Sequence, residues 1–311
     1  MQFWPRVRSR YTTPRVRNWA PSIESKPLGF AGYKVGMTHL LISDNRAHSL
    51  TKGKEIICPV TIIECPPIKT ASIIFYKNTK NGSEIISEIF SDSLDKEIGK
   101  KINTHTKKGK EANDFDFLRM LCYTQPKLTG IGKKLPEIFE IAVGGTKEQQ
   151  LNYAKEKLGK EMGVNEVFRE GQFLDVHSTT RGKGFQGPVR RFGVQLRHHK
   201  SEKSRRNPGT LGAWRAQGHI MWRTAHAGKM GYHLRTEYNK WLVKIGNNAE
   251  EINASGGFIS YGLVNNPYLL VKGSIAGAKN RLIKLTAPVR QKTIMEAPQI
   301  SYISTHSKQG N

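Results

Sequence analysis

Cysteine is scarce in this chain, and acidic residues are scarce wherever the basic residues are densest. Three cysteines occur, Cys58, Cys65 and Cys122, at unequal spacings. An odd and unevenly spaced set fits neither a disulfide framework nor a paired zinc site. We therefore expect three reduced core thiols in a cytosolic protein.

Long apolar runs are also missing. The longest candidates are short, such as residues 71–76, whereas a membrane-spanning helix needs about 18 apolar residues. The sequence thus predicts no membrane span. The first 19 residues contain five arginines and no acid, as in a mitochondrial transit peptide. Because Pro5 and Pro14 would interrupt the amphipathic helix of such a peptide, a basic arm that stays on the protein is favoured.

Acidic residues are too few to balance the basic ones. The 311 residues include 50 lysines and arginines against 25 aspartates and glutamates, which leaves a formal charge of +25. This excess predicts a large polyanionic partner, and nucleic acid is the first candidate. An anionic membrane surface is the alternative, but the sequence shows no basic amphipathic helix with a continuous apolar face.

Composition and periodicity divide the chain into five segments. Short runs rich in β-branched and aromatic residues, separated by turns, predict a mainly β protein with a barrel or sandwich. A proline-rich arm without any helical or strand period is expected to become ordered only on its partner. The predicted segments are an extended basic arm (1–28), a β-barrel (29–77, 166–177 and 242–286), an α/β insertion (78–165), a long basic loop (178–241) and a C-terminal tail (287–311).

Local patterns refine this division. In the insertion we expect helices around 92–102 and 114–123, and a third that opens at Thr146 with a capping-box pattern completed by Gln149. The other expected strands are 60–63, 71–76, 166–168, 172–176, 240–245, 257–264, 268–271 and 280–285.

The long basic loop carries most of the functional argument. It has fourteen lysines and arginines but only two acids, Glu202 and Glu237. It cannot build its own core, and ordering about sixty residues costs on the order of 60–120 kcal/mol of backbone entropy. RNA phosphates would offset that cost. If half of the loop cations meet phosphates, affinity should fall by about 10³–10⁵ between 50 and 200 mM salt.

A glycine-rich turn lies near the start of this loop. Residues 182–187 read Gly-Lys-Gly-Phe-Gln-Gly, the spacing of a dinucleotide-binding turn. Pro188 follows directly, no amphipathic helix is expected after it, and no acid lies about twenty residues on to bind a ribose. We interpret the glycines as allowing close approach to phosphates, with an ordinary basic turn as the alternative. The flanking charges are Arg181, Lys183, Arg190 and Arg191.

Three tryptophans lie in or beside the loop. Trp214 follows Gly209 and Gly212, where an aromatic ring can stack on an unpaired base or a ribose. Burial in a core is the alternative for Trp214. Trp222 and Trp241 have apolar neighbours and are expected to pack.

Five histidines also share the loop: His198, His199, His219, His226 and His233. No Cys, Asp or Glu accompanies them at metal-ligand spacing, so they are expected to be solvated or to face RNA. The chain shows no nucleophile motif and no phosphate-binding loop. The sequence therefore predicts no metal, no cofactor and no enzymatic activity.

Six short motifs lie along the chain in a definite order. They are Phe-Trp-Pro-Arg at 3–6, Gly-Phe-Ala-Gly-Tyr-Lys-Val-Gly-Met-Thr at 29–38, the glycine-rich turn at 181–187, Gly-Ala-Trp at 212–214, Ala-His-Ala-Gly-Lys-Met-Gly-Tyr-His at 225–233 and Val-Lys-Gly-Ser-Ile-Ala-Gly at 271–277. Together they resemble the universal L-three family of large-subunit ribosomal proteins, in particular its archaeal members. Residues from about 78 to 167 match the family pattern only loosely.

The resemblance implies a closed β-barrel like that of translation factors, lying at the subunit surface, with the arm and the long loop inserted into ribosomal RNA. It implies that Trp214 lies at the tip of a finger reaching toward the peptidyl transferase centre. It also implies early binding during subunit assembly, close to the L-fourteen family protein and the elongation-factor site.

The candidate RNA-binding residues are basic, polar or aromatic side chains of the arm, the first strand and the loop. They are Arg6, Arg8, Arg10, Arg15, Arg17, Lys34, Arg181, Lys183, Phe185, Gln186, Arg190, Arg191, Arg197, His198, His199, Lys200, Arg205, Arg206, Trp214, Arg215, Arg223, His226, Lys229, His233 and Arg235.

The predicted function is that of a structural constituent of the large ribosomal subunit in the cytoplasm. Its partners would be 23S-type ribosomal RNA and neighbouring ribosomal proteins, with no small-molecule substrate. The alternative is an RNA-modifying enzyme or another nucleic-acid-binding protein outside the ribosome. Turnover by RNA-free protein would favour an enzyme, and preference for duplex DNA over structured RNA would favour a DNA-binding architectural protein.

Overall fold

The computed structural model describes residues 4–46, 48–102, 109, 111–112, 114–201, 203–212, 218–290, 296–307 and 309. This part of the chain is mainly β, as predicted. Its strands are β1 (Gly29–Ser43), β2 (Glu55–Glu64), β3 (Ile68–Thr79), β4 (Gly82–Phe90), β5 (Phe117–Tyr123), β6 (Ile138–Ala142), β7 (Glu161–Met162), β8 (Phe173–Thr179), β9 (Phe185–Gln186), β10 (Gly228–Lys229), β11 (Leu234–Gly246), β12 (Tyr268–Lys272), β13 (Leu282–Thr286) and β14 (Ile300–Ile303). The α-helices are α1 (Lys147–Lys157) and α2 (Pro188–Phe192).

The larger sheet has seven antiparallel strands in the order β13-β8-β11-β12-β2-β1-β14. The long strand β1 pairs with two strands along one edge: Gly29–Tyr33 pair with β13, and Leu40–Ile42 pair with β14. The pairing therefore runs through six strands and returns from β1 to β13. Gly32 allows β1 to approach β2, since a Cβ there would lie within 2.8 Å of Ile63, Glu64 and Cys65.

The smaller sheet lies in the order β4-β3-β5-β6, with β7 paired to β3. Helix α1 is the single α-helix in the described part of residues 78–165, and the Gln149 side chain accepts a hydrogen bond from the Thr146 N–H (3.1 Å), as the capping-box pattern predicted. Residues 68–77, which the sequence-based division assigned to the barrel, pair here with β4 and β5. The division between the two sheets therefore falls between β2 and β3.

Four local predictions are wrong. Residues 114–123 do not form a helix, because Leu118, Met120 and Cys122 alternate as the buried face of β5. The expected helix at 92–102 is reduced to a three-residue 3-10 turn. The expected strand at 166–168 is not formed, because Glu166 ends the 3-10 turn Val164–Glu166. The expected strand at 257–264 is a turn in which Gly257, Ser260 and Gly262 have positive φ.

One hydrophobic core joins the two sheets. Phe30, Val60 and Leu270 from the larger sheet and Ile73 and Met120 from the smaller sheet belong to the same buried cluster. The three cysteines, at 58, 65 and 122, are buried and free, as predicted. None of the helices in the described part of the chain is long and apolar enough to cross a membrane.

Candidate nucleic-acid interface

The long loop begins as an extension of the β8–β11 hairpin. The Thr180 N–H donates to the His233 carbonyl (2.9 Å), and the Lys183 N–H donates to the Met230 carbonyl (2.9 Å). The short strands β9 and β10 continue this pairing outward. We call residues 180–186 and 228–233 the stem, because they give the base of the loop a defined ribbon structure.

Glycines permit the geometry of the stem. Gly231 has a φ of +76°, and a Cβ at this position would overlap the Arg181 carbonyl oxygen on the opposite side of the stem. Gly184 has a φ of +70° and nothing near it that a Cβ would meet. A helix does follow the glycine-rich turn, but α2 is five residues long and buries none of them. The stem therefore does not provide the long helix of a dinucleotide site.

The arm lies along this stem. The Ser9 N–H donates to the Tyr232 carbonyl (2.7 Å), and the Nδ1 of His233 lies 2.7 Å from the Val7 carbonyl oxygen. Arm, stem and glycines enclose an open cleft of about 640 Å³. Its cations are Arg8, Arg10 and Lys229, and Gly182, Gly184 and Gly231 form part of its wall. Cations beside exposed backbone suit a phosphate chain.

An aromatic cluster fixes the start of the arm to the loop. The Trp4 ring stacks on Phe192 at 5.9 Å between centroids and meets Trp222 edge-on at 5.9 Å. The Arg6 guanidinium lies 4.2 Å from the Phe192 ring centroid and donates to the Arg191 carbonyl (2.9 Å). Trp222 packs edge-on against Trp4 but is 61% exposed, so it is not the buried residue that its apolar neighbours suggested. Trp241 is buried, as expected.

Positive charges gather where the arm meets the stem. Burial, and next to it repulsion from Arg6, lowers the pKa of both Arg191 and Arg235. The Arg191 guanidinium is held by the carbonyls of His226 (3.0 Å) and Lys229 (3.2 Å), which are neutral acceptors. Among the described residues, no lysine or arginine at positions 4–23 or 181–229 forms an ion pair with a carboxylate. The positive charge of these side chains is therefore available to an anionic partner.

The predicted site residues fall into distinct environments. Trp214 and Arg215 lie outside the described residues. His233 is buried between stem and arm, and Lys34 donates to the carbonyls of Ile275 and Gly277. Half-buried positions are Arg6, Gln186, Arg191, His226 and Arg235. Exposed positions are Arg8, Arg10, Arg15, Arg17, Arg181, Lys183, Phe185, Arg190, Arg197, His198, His199, Lys200, Arg205, Arg206, Arg223 and Lys229.

Three residues that hold the interface together were not predicted from the sequence. Trp4 and Phe192 form the arm junction, and Arg281 binds the carbonyls of Thr179 and Thr180 at 2.9 Å each. Trp4 belongs to the Phe-Trp-Pro-Arg motif, which was the available signal for it. Phe192 and Arg281 carried no local signal, because their partners lie far away in the sequence. No group of three His, Cys, Asp or Glu side chains in the described ranges could hold a metal ion.

Comparison with known proteins identifies the family to which this chain belongs. The family model described as ribosomal protein L3 matches residues 1–117 and 102–310. The chain belongs to the ribosomal protein L3 family. Membership confirms the predicted ribosomal protein and the prediction that it is not an enzyme.

Relatives in the L3 family are similar along their whole length. The large ribosomal subunit protein uL3 of Archaeoglobus fulgidus is 44% identical over 322 residues, covering 100% of this chain and 97% of the relative. The proteins of the same name from Methanosphaera stadtmanae and Methanobrevibacter smithii are 45% and 42% identical, each over 99% of this chain and 96% of the relative. The archaeal type predicted from the motifs is confirmed.

Proposed function

We propose that this L3-family chain is a structural constituent of the large ribosomal subunit in the cytoplasm. It binds large-subunit ribosomal RNA through its arm and long loop and supports subunit assembly. The observation that carries the proposal is a stem that holds arm and loop together, while the described lysines and arginines at positions 4–23 and 181–229 form no ion pair with a carboxylate. RNA phosphates supply the missing counter-charge.

Two kinds of contact are assigned to this interface. Exposed cations such as Arg8, Arg10 and Lys183 neutralise phosphates, which gives affinity without sequence preference. Phe185 is 71% exposed at the outer end of the stem, and its ring is available to stack on an unpaired base. His233 and Lys34 act indirectly, since the former holds the arm and the latter holds the 275–277 segment.

The sheets serve as the anchor. We propose that the six strands linked from β13 to β1 form a closed barrel of the translation-factor type at the subunit surface. The return pairing between β1 and β13 supports this. The division into arm, barrel, insertion, loop and tail given above is part of the proposal, with the sheet boundary moved to lie before Ile68.

Two finer features rest on the family resemblance. Trp214 at the tip of the loop reaches toward the peptidyl transferase centre, and the L-fourteen family protein is a neighbour in the subunit. Trp214→Ala should then leave the melting temperature of the free chain unchanged but alter tRNA binding or antibiotic sensitivity at that centre. A fall of several degrees in the melting temperature would instead make Trp214 a core residue.

The test of the overall proposal is sedimentation of the tagged chain from a gentle lysate, before and after a high-salt wash. We expect it to travel with the large subunit and to resist the wash, because an inserted loop is held by more than exposed charge. A chain that stays at the top of the gradient, or moves with DNA, would contradict the ribosomal assignment.

A further inference from the structure

A second cleft lies away from the loop, where the arm crosses the smaller sheet. Its volume is about 800 Å³, within the range of about 300–1,000 Å³ that is usual for small-molecule sites. Arm residues from Tyr11 to Val16 and Trp19 form one wall, and β6 and the start of β4 contribute to the other. Lys284 of β13 reaches the cleft from the larger sheet.

Lys284 is a largely buried lysine that forms no ion pair with a carboxylate in the described part of the chain, although Glu140 and Glu137 are near enough to raise its pKa. It is 8% exposed, and its ammonium group lies 4.8 Å from the centroid of the Phe139 ring. Within the described part of the chain, no carboxylate or carbonyl accepts a hydrogen bond from it. A charge this deeply buried is normally paired. The cleft is therefore the direction from which an anion could reach it.

The nearest carboxylates are already engaged. The Glu140 carboxylate accepts from the Arg119 guanidinium (2.8 Å), and the Glu137 carboxylate is bound by Lys133 (2.7 Å) and by the Tyr33 hydroxyl (3.1 Å). Two further cations, Arg15 and Lys101, line the cleft. Glu140 is the one acidic residue among the described lining residues, against four cations, so the cleft has positive charge to spare.

Aromatic rings make up much of the remaining wall. Tyr11, Trp19, Tyr76 and Phe139 all line the cleft. The Tyr76 ring stacks on Phe117 at 5.1 Å, and Trp19 is held against Gly29 at the start of β1. Tyr76 and Phe139 are almost fully buried, whereas Trp19 is half-buried and Tyr11 is 63% exposed, so these two rings offer surface to a flat base. The cations that form no ion pair match a phosphate. A carboxylate-rich peptide would use the cations but not the rings.

We propose that this cleft binds a nucleoside phosphate, with the phosphate at Lys284 and the base against the aromatic side chains. The inference rests on the proposed function in one respect, since a nucleotide extruded from the bound RNA is one source of the ligand. A free nucleotide is the other source, and the chemistry recognised is the same.

The test uses the full-length chain and adenosine 5′-monophosphate as the probe, measured by titration calorimetry. We expect Lys284→Met to weaken its binding by about 10–100-fold, the worth of one charge-assisted hydrogen bond. Lys244→Met is the matched control, because Lys244 lies outside the cleft and pairs with Glu251. Adenosine without phosphate should bind poorly. A thermal melt verifies that each variant is folded.

A second titration distinguishes the two sources. If saturating ribosomal RNA excludes the probe, an RNA nucleotide occupies the cleft; if the probe binds equally with RNA present, the ligand is a free nucleotide. Equal binding by wild type and Lys284→Met, no binding to either, or equal affinity for an oligoglutamate peptide would overturn the inference. A wild-type chain that does not bind ribosomal RNA would instead refute the proposed function.

Discussion

The long loop and the insertion carry nearly the same number of lysines and arginines but very different numbers of acidic residues. Residues 178–241 have fourteen lysines and arginines with two acids, whereas residues 78–165 have fifteen with thirteen acids. In the insertion, Lys127 pairs with Glu97 (3.4 Å), and Lys157 pairs with Glu166 of the following segment (2.6 Å). In the loop, the described cations from 181 to 229 have no such partners.

The difference shows that cation density alone does not mark a nucleic-acid surface. A lysine beside a carboxylate has its field largely cancelled at short range, and exposed pairs contribute only about 0–1 kcal/mol to folding. A lysine without one retains its field for a partner. The number of acids nearby, and not the number of basic residues, separates the two regions of this protein.

The largest expected effect would come from neutralising loop cations. The combined variant Arg181→Gln, Lys183→Gln, Arg190→Gln and Arg197→Gln should lower the slope of log K against log salt by about 3 and weaken binding to ribosomal RNA by about 10²–10³-fold at 0.15 M salt. Filter binding across a salt series measures both quantities.

The matched control neutralises four cations of the insertion. Lys127→Gln, Lys147→Gln, Lys155→Gln and Lys157→Gln together remove the same charge, but each of these lysines has a carboxylate partner. Their loss should leave the salt slope nearly unchanged. An equal fall in affinity for both variants would break the comparison and reduce the interface to net charge.

Lys284, beside the smaller sheet, is a largely buried lysine that forms no ion pair among the described residues. Burial lowers its pKa to about 8, from about 10.4 in an unfolded chain. The folded state thus loses this proton more readily, so the protonated lysine destabilises the fold at neutral pH. Lys284→Met should raise the free energy of unfolding by up to about 3 kcal/mol at pH 7.

The pH dependence of the free energy of unfolding tests whether protonated Lys284 destabilises the fold. Between about pH 8 and 10.4 the unfolded chain keeps the proton that the folded chain has released, so wild-type stability should rise with pH relative to the variant. Urea denaturation at pH 7 and pH 9.5 measures the difference. If Lys284→Met is less stable than wild type at pH 7, the ammonium group has a stabilising partner in the free protein.

A smaller effect is expected at the stem. Gly231→Ala places a methyl group against the Arg181 carbonyl at a positive φ, which should cost about 1–3 kcal/mol locally. Amide exchange of Lys183 and Met230 should accelerate, and RNA affinity should fall because the cations lose their fixed positions. Gly209→Ala is the control and should change neither, because Gly209 lies outside the stem, has no positive φ and has open space around it. Unchanged exchange in Gly231→Ala would show that the stem tolerates the shift.

The parts of the fold that local pattern determines were predictable. The capping box at Thr146 and the loop between β8 and β11 follow from residues adjacent in sequence. The strand β5 was missed because its short Phe-Leu-Arg-Met-Leu-Cys-Tyr run is apolar enough to suit either a helix or a strand, and only pairing with β3 decides. Long-range pairing likewise assigned β3 to the smaller sheet.

The candidate site shows the same limit. The charge excess of the loop was visible at once, since it depends on composition alone. The contact between Trp4 and Phe192 could not be predicted from the sequence, and neither could the position of Lys284 over Phe139. In each pair the two residues lie more than a hundred positions apart. Sequence therefore indicated what the surface binds, whereas the folded chain was needed to find which residues hold it in position.

The hydrogen bond between His233 and the Val7 carbonyl has a consequence for biosynthesis. The two residues are 226 positions apart, and at roughly 5–20 residues per second the chain needs about 11–45 s to make the second after the first. During that interval the arm has emerged but its docking site does not yet exist. Attachment of the arm is thus one of the late events in the maturation of each new molecule.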